Sequence, residues 1–327
     1  MSISNKPYII VSGATATGKT STSIKIAKYL KNKYGKESQV VNFDSLLFYK
    51  ELNIGTAKPT TNEMQGVKHH LIDIASIRTP LNASDYIREA NKILNILFDK
   101  NIIPILCGGS AFYVRALLKG MIETSPKEII TNRQQELIDS ILIHIDKIID
   151  YLESNDPDVF TYIHRNDQYR LGRAVEYHIL NSEKYSEKLK KINLNDPYDF
   201  KKNNQVGDNF INIYLDIDKS AHLEIMKDRI HTMLRDGLID EVRNLIKTNS
   251  DLSLKPLGSI GYKETIRFIK EGESSSNESL IEDIFISTRQ LAKAQKTFFR
   301  KITPKISFSP LSNKDILFNS IDDFINK

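Results

Sequence analysis

The chain has 327 residues, enough for about two domains or one large α/β domain carrying an insertion. Its 40% hydrophobic and 27% charged content is ordinary for a globular protein with a sizeable core, and no apolar run approaches the ~20 residues of a membrane span. The formal net charge of +5 permits a polyanionic partner without requiring one, and the single cysteine, Cys107, excludes an internal disulfide. A lone cysteine fits a reducing cytosol, and the opening MSISNKPYII lacks the basic and apolar segments of a signal peptide, so a cytoplasmic protein is expected.

The first predicted element is a strand, the apolar run Tyr8-Ile9-Ile10-Val11-Ser12, and Thr20 to Leu30 reads as a helix. Between them Gly13-Ala14-Thr15-Ala16-Thr17-Gly18-Lys19-Thr20 fits G-x-x-x-x-G-K-[ST] without a mismatch. In such a loop glycines let backbone N–H groups wrap a polyphosphate at the helix N-terminus, the lysine adds a point charge, and the Ser/Thr hydroxyl can ligate Mg²⁺. A di- or triphosphate ligand follows; ATP hydrolysis does not.

Gln39 to Phe43 is a second short strand, ending at Asp44-Ser45. Asn82 and Asp85 form a capping pattern before a helix whose apolar face is Tyr86, Ala90, Ile93, Leu94 and Leu97. Ile102 to Cys107 reads as a strand buried on both sides and ending at Gly108-Gly109-Ser110, with Pro104 as an irregularity because it deletes a ladder donor. From Gly120 to about Asn195 no strand is predicted. Ile138, Ile141, Leu142, Ile145, Ile148, Ile149 and Leu152 recur at helical spacing, and Tyr169 to Leu180 is a further helix. Strand character resumes at Phe210 to Leu215, followed by a helix carrying Leu223, Met226, Ile230 and Leu234, a polar loop at 272–277, and a long helix from about Leu280 to Lys301. The expected architecture is α/β: a P-loop NTPase-like parallel sheet covered by helices, built from residues 1–120 and 196–327, with a helical insertion domain at 121–195.

Asp44 follows the second strand, at the carboxyl edge where ligands bind in open parallel sheets. Two roles suit it on spacing alone: a helix N-cap or Mg²⁺-water ligand, and a general base beside the bound phosphates. Arg289, Lys293, Lys296 and Arg300 share one face of the last long helix, with Leu291, Ala294 and Phe298 expected opposite. Such a stripe is by itself compatible with a solvated face. Adjacent His69-His70 suit a shared metal poorly, and hydrogen bonding with Asp73 is expected instead. Cys107 is expected to be an inert core residue.

Asp44-Ser45-Leu46-Leu47-Phe48-Tyr49 through Asn53-Ile54-Gly55-Thr56-Ala57-Lys58-Pro59 closely resembles the D-S-x-x-x-Y-x-x-(D/N)-I-G-T-A-K-P signature of tRNA dimethylallyltransferases. Further matches follow in that family's order: His69 to Asp73, Gly108-Gly109-Ser110, Ile163 to Asp167 with Arg170 to Ala174, Ile260 to Glu264, and Thr288 to Lys293. The resemblance implies transfer of a dimethylallyl group from dimethylallyl diphosphate to N6 of adenosine 37 beside the tRNA anticodon, with Mg²⁺ as cofactor. It implies a diphosphate held by Gly13, Ala14, Thr15, Ala16, Thr17, Gly18, Lys19, Thr20 and Arg229, with Thr20 on the metal and Asp44, Thr20 and Arg229 as catalytic residues. Contacts to the tRNA anticodon stem-loop are implied for Asp44, Ser45, Leu46, Leu47, Ser110, Tyr169, Arg170, Leu171, Gly172, Arg173, Gly258, Ser259, Ile260, Gly261, Tyr262, Lys263, Lys293, Lys296 and Arg300. For Ser110 a helix cap competes with holding a flipped base. A monomer is the family expectation.

The chain departs from that pattern at Ala294, where relatives often have a second basic residue, at Phe298 in place of Trp, at Gly172 in place of Ser, and at Lys68 in place of Pro. These bear on RNA affinity rather than on diphosphate chemistry. The alternatives are an adenylate isopentenyltransferase acting on AMP, a small-molecule kinase with the same glycine loop, and a tRNA-binding paralogue without catalysis. Intact Lys19, Thr20, Asp44 and Arg229 speak against the last.

Overall fold

The computed structural model describes residues 5–122, 130–193, 196–202, 204–249, 251–272, 276–312 and 314–327. It divides into two compact units, one formed by the residues up to Leu118 and from Asn204 onward, the other by those between. In chain order the elements begin with β1 (Tyr8–Gly13), α1 (Lys19–Tyr34), β2 (Ser38–Asn42), α2 (Thr61–Met64), β3 (His69–His70), α3 (Ala83–Asp99), β4 (Ile103–Gly108) and α4 (Ala111–Lys119). The other unit contributes α5 (Asn132–Leu142), α6 (Ile145–Asn155), α7 (Gln168–Asn181) and α8 (Tyr185–Asn193). The first then resumes with β5 (Phe210–Leu215), α9 (Lys219–Arg235), α10 (Leu238–Thr248), α11 (Tyr262–Lys270), α12 (Asn277–Phe299), β6 (Ile306–Phe308) and α13 (Asp315–Ile325).

The six strands form one sheet in the order β3-β2-β4-β1-β5-β6, and every neighbouring pair is parallel. Parallel neighbours need crossovers, and the sheet is buried on both faces. Accordingly β1, β4 and β5 are buried at every position. Ile9, Val11, Val40, Ile105, Ile213 and Leu215 pack with Ile26 and Leu30 of α1 and with Leu317 and Ile321 of α13. Because β4 lies between β1 and β2, the loops leaving the carboxyl ends of these three strands, at Gly13, Phe43 and Gly109, meet at one edge.

Pro104 fits the interior strand β4 because pairing with β1 begins only at Ile105 (Ile9 opposite Ile105), so the missing donor falls before that ladder. Asn82 caps α3 as expected: its side chain accepts the Asp85 N–H, and Asp85 reaches back to the Asn82 N–H. No described helix is long and apolar enough to cross a membrane. The polar loop expected at 272–277 lies partly outside the described residues, at 273–275, as do 1–4 of the N-terminal segment.

The intervening unit has its own core of Ile141, Ile148, Leu152, Val159, Leu171, Ala174 and Val175. The single helix expected over Ile138–Leu152 is two, because the chain turns extended at His144 (φ −136°, ψ 144°). Both helices bury their isoleucines in the same core, so the apolar period runs unbroken across the bend. The face expected on α9 also shifts: His222, Met226, Ile230 and Met233 are buried, while Leu223 and Leu234 are half-exposed. On α12 the enclosed residues are Leu280, Ile284, Phe285, Ala292 and Phe299, whereas Leu291 is 39% exposed and Ala294 is exposed. Phe299, tilted against Tyr214 at 6.4 Å, is the apolar anchor; Phe298 is half-buried.

Candidate active site

The loop after β1 is shaped by close approach. A Cβ on Gly13 would lie 2.8 Å from both Leu215 O and Thr17 Oγ1, so a side chain there would push the loop off β5. The Thr17 hydroxyl donates to Ala14 O at 2.9 Å, closing the loop on itself. Gly18 enters α1 in the left-handed conformation (φ 79°), and Ala16 holds φ 60° despite its Cβ, a strained backbone of the kind found at ligand sites. Among the described residues, the N–H groups of Ala16, Thr17, Gly18, Lys19 and Thr20 have no protein acceptor. Unpaired amides at the start of a 16-residue helix make an anion cradle. Lys19 is half-buried, with Nζ donating to Ala14 O at 2.7 Å. Burial pushes this ammonium down to about 8, against the opposing pull of Asp44.

Asp44 stands at the neighbouring strand end. Buried Asn42 fixes its backbone: Asn42 Oδ1 accepts the Asp44 N–H at 2.8 Å, while Nδ2 donates to Asp44 O at 3.0 Å and Leu71 O at 2.9 Å. Asp44 Oδ1 accepts the Leu46 N–H at 3.3 Å, capping the short 3₁₀ turn Ser45–Phe48. One carboxylate oxygen therefore serves as a cap; the other faces the loop. A Cβ on Gly109 would sit 3.6 Å from Asp44 Oδ2 and 3.5 Å from Lys19 Nζ, which brings the two charges around one point. Gly108 is needed for the same convergence, since its Cβ would meet the Phe43 carbonyl carbon at 2.7 Å. The Ser110 hydroxyl accepts the Ser45 N–H at 3.2 Å, and its carbonyl accepts the Tyr113 N–H that opens α4. Leu46 and Leu47 are half-buried beside it.

Arg229 projects from α9 and donates to Thr56 O at 3.2 Å. Burial lowers its pKa, with Asp44 and Glu63 favouring the charged form. The Thr56 loop is held by Glu241 of α10, whose carboxylate accepts the N–H groups of Asn53 (3.2 Å), Ile54 (3.0 Å) and Gly55 (3.3 Å) and the Tyr262 hydroxyl (2.7 Å). Tyr262 is 0% exposed, and a Cβ on Gly55 would lie 2.6 Å from its ring. The side chain of Tyr262 thus serves the interior of this loop. Gly261 takes φ 90°, Ser259 donates to Pro256 O, Gly258 and Lys263 are exposed, and Ile260 is half-buried. Lys58 ties the segment down through Tyr49 O at 2.7 Å and Asp73.

On α12 the basic stripe divides. Lys296, only 17% exposed, and Arg300 both pair with Asp216, at 3.0 and 3.3 Å, and Lys296 also donates to Ile217 O. Lys293 is exposed, and Arg289 is exposed with its guanidinium 5.5 Å from the Phe285 ring centre. Gln295 of this helix accepts the Thr15 N–H at 2.7 Å through Oε1 and donates to Gly109 O at 2.9 Å through Nε2. His222 Nε2 lies 2.8 Å from Thr15 O. Glu241, Gln295 and His222 escape a sequence reading: each looks like a polar side of its own helix, and the loop residues they hold lie 186 or more residues away.

In the intervening unit Tyr169 is 74% exposed and Arg170 is exposed beside Asp167, whereas Leu171 and Gly172 are buried. Arg173 pairs with Glu176. A Cβ on Gly172 would stand 3.2 Å from Leu142 Cδ2, so glycine there suits the close approach of α7 to α5. The hydrogen bonding expected between the His69-His70 pair and Asp73 is not formed. His69 Nδ1 lies 2.9 Å from Val67 O and His70 Nε2 lies 2.7 Å from Gln39 Oε1, while Asp73 is engaged by Lys58. Cys107 is buried, and burial raises its thiol pKa.

Residues 47–302 match the model of the IPP transferase family. A tRNA dimethylallyltransferase of Syntrophobacter fumaroxidans is 31% identical over 295 residues, covering 90% of this chain and 81% of that protein. One of Staphylococcus aureus is 33% identical over 305 residues, covering 90% of each. Among solved structures, the tRNA isopentenylpyrophosphate transferase of Bacillus halodurans aligns with a TM-score of 0.67 at 26% identity, over 99% of this chain and 96% of that one. A eukaryotic dimethylallyltransferase acting on tRNA shares the fold with a TM-score of 0.81 at 24% identity, over 98% of this chain and 80% of that one. With a cradle of free amides, a lysine and an aspartate at one sheet edge, and with this likeness along nearly its whole length, the chain belongs to the IPP transferase family.

Proposed function

We propose that this chain transfers the dimethylallyl group of dimethylallyl diphosphate to N6 of adenosine 37 in the tRNA anticodon loop, releasing diphosphate, and that it acts as a cytoplasmic monomer. The observation that carries this reading is the pairing of an anion cradle with a carboxylate: the amides of Ala16 to Thr20 are free at the start of α1, and Lys19 Nζ of the same loop flanks the point beside Gly109 that Asp44 Oδ2 also flanks.

The cradle, Lys19 and Arg229 bind the diphosphate and stabilise the charge that grows on it as the allylic C–O bond breaks. The half-buried Thr20 hydroxyl, a hard oxygen donor in the first turn of α1, fits Mg²⁺, which takes few protein ligands and several phosphate oxygens. Mg²⁺ bound there would supply further neutralisation of the leaving group. The adenine amine is a weak nucleophile because its lone pair is delocalised into the ring. Asp44 Oδ2 removes its proton as the N–C bond forms, while Oδ1 stays on the Leu46 N–H and keeps the carboxylate oriented. The base must leave its stack to reach this edge. Lys293, Arg289 and the exposed Gly258 and Lys263 offer phosphate contacts on the sheet-bearing unit, and Tyr169 and Arg170 offer stacking and charge on the other.

Incubation with radiolabelled dimethylallyl diphosphate and unmodified tRNA, with AMP in a parallel tube, tests the reading. Label is expected in RNA alone. Label in AMP alone would transfer the assignment to an adenylate isopentenyltransferase, and label in neither would end it.

A further inference from the structure

One amide of the phosphate loop differs from the five that follow it. The Thr15 N–H is taken by Gln295 Oε1 at 2.7 Å, and the Thr15 carbonyl faces His222 Nε2 at 2.8 Å, so this residue is held at both of its backbone polar groups. Gln295 Nε2 donates to Gly109 O at 2.9 Å, which fixes the carboxamide at its other end. A glutamine suits this place because it accepts and donates at once without carrying charge. The same carboxamide closes the space beside Lys19: a Cβ on Gly109 would lie 2.7 Å from Gln295 Nε2, 3.5 Å from Lys19 Nζ and 3.6 Å from Asp44 Oδ2.

In loops of this type the amides at the helix start hold the inner phosphoryl groups, and the lysine reaches the outer ones. A phosphoryl group added beyond Lys19 would have to enter the space bounded by Gln295 and Asp44. It would find the Thr15 amide already engaged, a side chain in van der Waals contact and a like charge opposite.

We propose that Gln295 restricts this loop to diphosphates, its carboxamide occupying both the amide and the space that a third phosphoryl group would need. The inference rests on the diphosphate reading of the loop and adds the residue that excludes triphosphates. Gln295 is here a specificity-determining residue, held on α12 and acting at the far end of the cradle from Thr20.

Titration calorimetry of the full chain with inorganic pyrophosphate and with inorganic tripolyphosphate, each with Mg²⁺, tests it. The wild type is expected to bind pyrophosphate at least about tenfold more tightly than tripolyphosphate, the worth of one good hydrogen bond and one repulsion. Gln295→Ala is expected to tighten tripolyphosphate until the two Kd values agree within about threefold, leaving the pyrophosphate Kd within about twofold of wild type. Gln295→Asn, one methylene too short to reach Thr15, is expected to behave likewise and replaces the alanine variant if that one melts early. A wild-type preference that survives in a normally folded variant overturns the proposal. Wild-type binding of both anions with equal affinity also overturns it while leaving the diphosphate reading in place. Failure to bind pyrophosphate at all removes that reading and this one together.

Discussion

Asp44 Oδ2 and Lys19 Nζ flank a single point beside Gly109, 3.6 and 3.5 Å from the position of an added Cβ, although they leave the ends of different strands. Asp44 favours the charged form of Lys19 against the burial that disfavours it, and a third charge brought between them is felt by each. The chemistry proposed for this edge depends on that proximity.

Asp44→Asn should keep the cap on the Leu46 N–H through its carbonyl oxygen but remove the base. Single-turnover transfer is expected to slow by ~10²–10⁴-fold with donor affinity changed little. Equal losses in both quantities would make Asp44 a group that serves the diphosphate or its metal instead.

Lys19 titrates at about 8, below an ordinary lysine, because burial disfavours its charge. Bound diphosphate favours the charged form, so binding should take up protons as pH rises through about 8, and pyrophosphate affinity should fall over that interval. Calorimetry in buffers of different ionisation enthalpy measures the uptake. Lys19→Met should remove it, leaving the titration of pyrophosphate itself.

Glu241 accepts the N–H groups of Asn53, Ile54 and Gly55 and the Tyr262 hydroxyl, and the loop it holds presents Thr56 O to Arg229. Glu241→Ala strands those donors at a cost of about 1–3 kcal/mol, read as a lowered Tm. Gly55→Ala should do similar damage by overpacking, because its Cβ would come within 2.6 Å of the Tyr262 ring. In both variants the donor KM is expected to rise through a displaced Arg229; an unchanged KM would separate this loop from the site.

Lys293 and Lys296 are neighbours on one helix with different surroundings. Lys293→Ala should weaken tRNA binding and reduce its salt dependence by about one unit of slope, as expected for one lost phosphate contact. Lys296 is committed to Asp216 and Ile217 O, so Lys296→Ala should lower the Tm more than it changes the salt slope. A large change of slope for Lys296 alone would reverse these roles.

Much of the sheet-bearing unit was legible before folding. The phosphate loop, β1, β4 and the Asn82–Asp85 cap of α3 are local patterns, set by neighbours within a turn or a strand, and each stands where its residues indicate. Two-residue β3 and three-residue β6 are too short to show a period, whereas α10 and α13 do carry apolar residues at helical spacing, Leu238, Val242 and Leu245 on one and Leu317 and Ile321 on the other, although no element is predicted there. The bend at His144 left no trace, having neither glycine nor proline.

By itself, then, the order of residues determined that a glycine loop would join a strand to a helix, with an aspartate at the next strand end. Only the tertiary structure decided which oxygen of Asp44 faces Lys19, that Lys296 and Arg300 pair with Asp216, and that Gln295 reaches Thr15 across 280 residues. Backbone propensity and hydrophobic period act over a few residues, whereas hydrogen-bond partners are chosen by the crossings of a folded chain, and those depend on how every layer packs.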